Sequence, residues 1–79
     1  MQTVSEILKM AKVKANDILK DDDAEKAFKK ILESNYKSAE KVKGIFQDGN
    51  KFIAFDNTTG ECWQEEFVNI KPAVAWLNL

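Results

Sequence analysis

The sequence has no histidine and no arginine, so all twelve of its cationic side chains are lysine. Without His, no side chain titrates near neutrality at its ordinary pKa, and every triad or metal site built on imidazole is excluded. Without Arg there is no planar fork for a phosphate, a carboxylate or a guanine edge; lysine meets phosphate only as a point charge. The single cysteine, Cys62, has no partner within the chain. Small secreted domains ordinarily carry several, so a reducing, cytoplasmic setting is expected. One Cys and no His cannot assemble a structural zinc site, and neither a metal nor any other cofactor is expected. No apolar run approaches the roughly 20 residues of a membrane span, and Met1–Lys14 lacks the basic-then-apolar layout of a secretory signal. No membrane contact is expected.

What is present suits a folded chain. Of 79 residues, 44% are apolar and 10% aromatic, with a net charge of −1, which argues against disorder. The length predicts a single domain over 1–79. A chain this short buries only roughly 60% of its unfolded surface, so its stability is modest or shared with a partner.

The pattern changes along the chain, with a helical half at about 3–36 and a β-meander plus short helix at about 41–78. Thr3-Val4-Ser5-Glu6 fits a capping box. Val4, Ile7, Leu8, Ala11, Ala15, Ile18 and Leu19 then trace one stripe of a 3.6-residue period, which predicts a first helix through Leu19. Asp21-Asp22-Asp23 is positioned to cap a second helix and favour its positive end. That helix carries Ala24, Ala27, Phe28, Ile31 and Leu32 on one stripe. Asp22/Lys26, Glu25/Lys29 and Glu33/Lys37 are acidic-before-basic pairs at i, i+4. Its stop falls near Ser34-Asn35 or at Lys37, and one continuous helix across the aspartates is the alternative.

Val42–Gln47 and Lys51–Asp56 read as strands joined by Asp48-Gly49-Asn50, and Asn57-Thr58-Thr59-Gly60 leads to a third strand, Glu61–Val68. A two-residue Gly49-Asn50 turn sets Phe46 opposite Ile53 and Gly44 opposite Phe55. Val42, Phe46, Ile53 and Phe55 then share one face. A three-residue second loop sets Phe55 opposite Trp63 and brings Phe67 to the same side. Ile45, Phe52, Ala54 and Cys62 fall on the other face, beside Gln47, Asp56, Gln64 and Glu66. That half-apolar face needs a cover or a partner, which makes these four the candidate interaction surface. Gly44, inside a strand, marks a bulge or a close approach by a helix or ring. Pro72 suits the first turn of a short apolar helix ending near Leu77. The expected fold is therefore α+β: two N-terminal helices, a three-stranded antiparallel meander and a short C-terminal helix.

The sequence offers no catalytic set. Cys62 has no base to activate it, and Glu61, Glu65 and Glu66 nearby would raise its pKa. These carboxylates and Asp56 read as solvated surface; no loop has EF-hand spacing. Gly44, Gly49 and Gly60 are isolated and make no phosphate cradle. Lys26, Lys29, Lys30, Lys37, Lys41 and Lys43 form a basic stretch near aromatics, which keeps a weak nucleic-acid-binding role as the alternative. Acidic residues interleave with them, and residues 1–40 carry eight lysines against eight acids. Trp63, Trp76 and Tyr36 are core residues or contact anchors.

The segment Phe55-Asp56-Asn57-Thr58-Thr59-Gly60-Glu61-Cys62-Trp63-Gln64-Glu65-Glu66-Phe67, with Trp76-Leu77 downstream, resembles small uncharacterised bacterial α+β proteins. Those carry an Asp-Asn-x-x-Gly-x-Cys-Trp-x-Glu-x-Phe-like hairpin before a short helix ending in Trp-Leu. The resemblance covers about a third of the chain and implies a fold but no activity and no site residue. The functional expectation is a non-enzymatic accessory module that binds a protein partner or forms a homodimer.

Overall fold

A computed structural model describes residues 2–34 and 41–79. The expected helix end between Asn35 and Lys37, the Glu33/Lys37 pair and Tyr36 lie outside them. The fold is α+β, with the order α1 (Val4–Ala11), β1 (Ile18–Lys20), α2 (Asp21–Glu33), β2 (Lys43–Asp48), β3 (Lys51–Asp56), β4 (Trp63–Phe67) and α3 (Ile70–Leu77). The strands form one sheet in the order β1-β2-β3-β4. β2, β3 and β4 are the antiparallel meander read from the sequence, and β1 adds a parallel strand along β2. The sheet is therefore four-stranded and mixed rather than three-stranded, and the N-terminal helices are separated by a strand.

The first helix stops at Ala11, well short of Leu19. Lys12 adopts the left-handed region (φ 56°, ψ 40°). Its N–H donates to Lys9 O (3.2 Å), and the Val13 N–H reaches back to Leu8 O (3.0 Å). This is the Schellman pattern, and Val13 packs with Leu8 in the same apolar cluster, as that motif favours. Downstream, Ile18 and Leu19 alternate as strand residues. Ile18 enters the cluster beneath α1 and α3, whereas Leu19 packs on the cluster beneath α2. Positive φ at Asp17 (63°) and Asp21 (56°) ends this short strand on both sides. Aspartate tolerates that region better than most side chains.

Asp21 caps a helix, but not its own. Its carboxylate accepts from the Val4 N–H (2.7 Å), the Ser5 N–H (3.3 Å) and the Ser5 hydroxyl (3.1 Å). The Thr3–Glu6 capping box satisfies the next donor, with the Glu6 N–H 3.1 Å from Thr3 Oγ1. The orphan N–H groups at the start of α1 are thereby partnered. α2 begins after Lys20 with no side-chain cap of its own.

The β2–β3 register is as expected, with Phe46 opposite Ile53 and Gly44 opposite Phe55. Gly49 supplies the positive φ (64°) at the first turn position. The β3–β4 register differs by one residue, because Asp56 rather than Phe55 stands opposite Trp63. Cys62 is the cause: its φ of 49° keeps it out of the strand and lengthens the loop. A one-residue slip turns every β4 side chain to the other face. Phe67 accordingly lies opposite Phe52 and packs with Trp76 of α3, ring centroids 6.1 Å apart.

Both sheet faces carry helices. α1 and α3 lie on the face holding Ile45 and Ala54, and Val4, Leu8, Ala73, Val74 and Leu77 complete that cluster. The C-terminus of α3 is tied down by Lys43, whose Nζ donates to Leu77 O (2.6 Å), a cation at the negative end of the helix. α2 lies on the opposite face over β1 and β2. There Ala24, Ala27 and Ile31 pack on Phe46, Phe55 and Cys62, and Phe28 stacks at 5.1 Å from Phe55 and 5.6 Å from Phe46. Gly44 permits this closeness. A Cβ there would lie 2.5 Å from Phe55 Cζ and 3.0 Å from Ala24 Cβ.

Candidate binding cleft

The four residues expected to form an exposed apolar surface do not do so. Ile45 and Ala54 are fully buried under α1 and α3, Phe52 is half-buried at the margin of the same cluster, and Cys62 is buried on the other face with α2. The face that was short of a cover has one, supplied by two helices. Burial first, and then the nearby Asp56 carboxylate, push the Cys62 thiol above its ordinary value. A protonated, enclosed thiol is a poor nucleophile.

The opening lies on the face that holds Phe46, Ile53 and Phe55. α2 lies mainly over β1 and β2 and also covers Phe55 of β3. Beyond α2 runs a cleft of about 700 Å³, floored by Phe28, Leu32, Phe46 and Ile53. Gln64 and Glu66 stand on the exposed part of β4. Glu25 lies on the helix wall, and Asp48 and Glu66 on the strand wall; Glu65 borders the cleft but stands opposite Ala54, on the α1–α3 side of the sheet. Glu25, Phe28, Lys29 and Leu32 fall at i, i+3, i+4 and i+7, so one stripe of α2 forms that wall. Lys29 lines the cleft and pairs with Glu25 at 3.6 Å. Lys51, on the same sheet face as Ile53, meets Glu66 at 3.2 Å. Both pairs are solvent-exposed and contribute little, about 0–1 kcal/mol each.

The outer edge of β4 has no strand beyond it among the described residues. Consecutive glutamates, Glu65 and Glu66, guard this edge against pairing with a like strand. Trp63, on the α3 side of β4, is 60% exposed.

The basic stretch is not gathered onto one surface. Lys26, Lys29 and Lys30 are exposed on α2, whereas Lys43 is turned to the other side of the sheet and held by the end of α3. Lys37 lies outside the described residues. Among the described residues no group of three or more Cys, Asp or Glu stands close enough to hold a metal ion. No helix among them is long and apolar enough to cross a membrane.

The sequence had signalled the cleft residues individually, as helix stripe, strand face and acidic strand. What it did not signal was that α2 is displaced toward a parallel β1, and that displacement leaves Ile53 and the Gln64–Glu66 side of β4 uncovered. No family model matches the sequence, and no curated protein or solved structure is significantly similar to it.

Proposed function

We propose that this protein is a non-catalytic protein-interaction module, and that the cleft between α2 and β4 is its contact surface. The observation carrying this reading is the apolar floor of the cleft, where exposed Leu32 and half-buried Phe28 and Ile53 lie beside buried Phe46. An apolar centre with a polar rim is the usual anatomy of a protein contact. The carboxylates of the rim disfavour nucleic acid at this site, since phosphate would meet like charge. The reading extends to a cytoplasmic module. Its support there is the lone free cysteine, Cys62, where small domains of oxidising compartments ordinarily carry several.

The test is site-specific photo-cross-linking in the protein's native cells. A photoreactive residue replaces Gln64 in the cleft or Thr58 in the loop away from it. The expected result is a discrete polypeptide adduct from position 64 and none from position 58. Adducts to nucleic acid, or equal labelling from both positions, would refute the reading.

A further inference from the structure

The two edges of the sheet are finished differently. β1 is short, left-handed Asp17 and Asp21 stand on either side of it, and the Lys20 amine donates to Ile18 O at 3.1 Å. Brevity, sharp turns and a lysine at the edge all discourage a further strand. β4 has only its glutamates. It pairs with β3 over five residues without proline or bulge, and its side chains from Trp63 to Glu66 are exposed on both faces. Which of its backbone groups are free follows from the meander. Asn57 donates to Val42 O (2.9 Å), so the bonded pairs of the β2–β3 ladder are those in step with it, Gly44 with Phe55 and Phe46 with Ile53. The alternate residues of β3 bond to β4, Ala54 with Glu65 among them. Gln64 and Glu66 therefore direct their N–H and C=O groups away from the sheet, and among the described residues nothing bonds to those groups.

The side chains of β4 select the strand that fits. In a strand added antiparallel to it, the residues opposite Gln64 and Glu66 would bond through the backbone and lie at the mouth of the cleft. The residue between them would sit opposite Glu65 in a non-bonded pair, where side chains approach most closely. That residue and its neighbours two positions away fall on the face of Trp63, Glu65 and Phe67, where Trp63 is 60% exposed. Glu66 already meets Lys51, whereas Glu65 has no ion pair among the described residues. A cation opposite Glu65 and an apolar residue beside Trp63 complement this face. A second copy does not. The register that overlaps the whole of β4 with its symmetry mate sets Glu65 against Glu65, and β1 of a second copy is the protected edge. We propose that β4 receives an extended segment of a different protein as an antiparallel fifth strand, with a Lys or Arg set against Glu65 and apolar residues on either side of it set against Trp63 and Phe67. This rests on the interaction reading above and deepens it by naming the partner's conformation and chemistry.

The experiment is an NMR titration of the whole chain with synthetic peptides, read by amide shifts and hydrogen exchange. The first probe is the blocked peptide Thr-Ile-Thr-Lys-Thr-Ile-Thr. The second carries N-methyl groups on the threonines flanking lysine, which removes the backbone donors that would reach β4. The third replaces lysine by glutamate. In the free protein the Gln64 and Glu66 amides should exchange at least tenfold faster than that of Glu65. Saturating amounts of the first peptide should slow both at least tenfold, with shifts centred on β4. The N-methyl peptide should bind at least tenfold more weakly, and the glutamate peptide at least threefold more weakly. Glu65→Lys, at an exposed position, should reverse the preference between the lysine and glutamate peptides. Equal binding of either altered peptide, shifts centred away from β4, unchanged exchange at Gln64 and Glu66, or no binding would overturn the proposal. So would slowing of those amides with rising protein concentration and no peptide, which would mean that a second copy takes the edge. If polypeptide adducts from position 64 persist while the extended peptide fails, the interaction reading stands and the added strand falls.

Discussion

Single residues fix the fold at points where their chemistry has no substitute. Gly44 is one, because the Phe55 ring and Ala24 occupy the space of a side chain there. Gly44→Ala should cost about 1–3 kcal/mol in a urea melt, the usual penalty of overpacking a tight core. Asp21 is another, since its carboxylate accepts both the Val4 and the Ser5 N–H groups. Asp21→Ala should cost about 1–3 kcal/mol by leaving part-buried donors unmet, and Asp21→Asn should cost less, because Asn keeps one acceptor and tolerates positive φ. Lys12 works the other way, as a lysine where helix C-termini favour glycine. Lys12→Gly should stabilise by about 0.5–1 kcal/mol, visible as a rise of a few degrees in Tm. The raised pKa of Cys62 sets a pH dependence with a definite sign. Below the ordinary thiol value of 9.0 the group is neutral in both folded and unfolded chains and adds no slope. As pH rises past that value the unfolded chain loses its proton first, so stability falls until the folded thiol also ionises. Denaturation midpoints of the native protein and of Cys62→Ala should therefore diverge above about pH 9 and run parallel below it.

Elements were legible in the sequence in proportion to how much of their signal is local. The β2–β3 hairpin carries its own turn, alternation and register, and all three agree with the structure. The start of α1 was equally plain from the capping box. The end of α1 was not, because Ile18 and Leu19 fall at offsets that also satisfy a helix. Only the left-handed Lys12, a residue with no sequence signature for that conformation, breaks the stripe. β1 is three residues long and gains its partner from β2 across the whole of α2, so nothing local announces it. β4 was misaligned by one residue because Cys62, read as a strand residue, turns out of the strand. That slip placed Trp63 and Phe67 on the wrong face. A consequence at this scale concerns Lys43. Lys43→Met removes the cation at Leu77 O and keeps much of the aliphatic bulk, so hydrogen exchange should accelerate in the last turn of α3 more than in β2 or β3.

Across the whole molecule, what matters is which sheet face is closed. The alternation along β2 and β3 made Ile45, Phe52 and Ala54 look like a face in need of a partner, and α1 and α3 supply the cover from within the chain. The parallel β1 draws α2 to one side, so the open surface appears beside Phe28 and Ile53 instead. The same strand bears on the folding rate. A meander alone would be built from neighbouring pairings, but Ile18 must find Lys43, and such a closure slows folding relative to the hairpins. Shortening β1's contribution by Leu19→Ser should thus destabilise the α2 layer while leaving β3–β4 exchange nearly unchanged. The most direct test of the account is methyl NMR of isoleucine and leucine in the presence of a soluble paramagnetic agent. Strong relaxation enhancement at Leu32 and clear enhancement at Ile53, with little at Ile45 and Leu77, is the predicted result. Enhancement at Ile45 equal to that at Ile53 would contradict it, because the closed and open faces would then have been assigned the wrong way round.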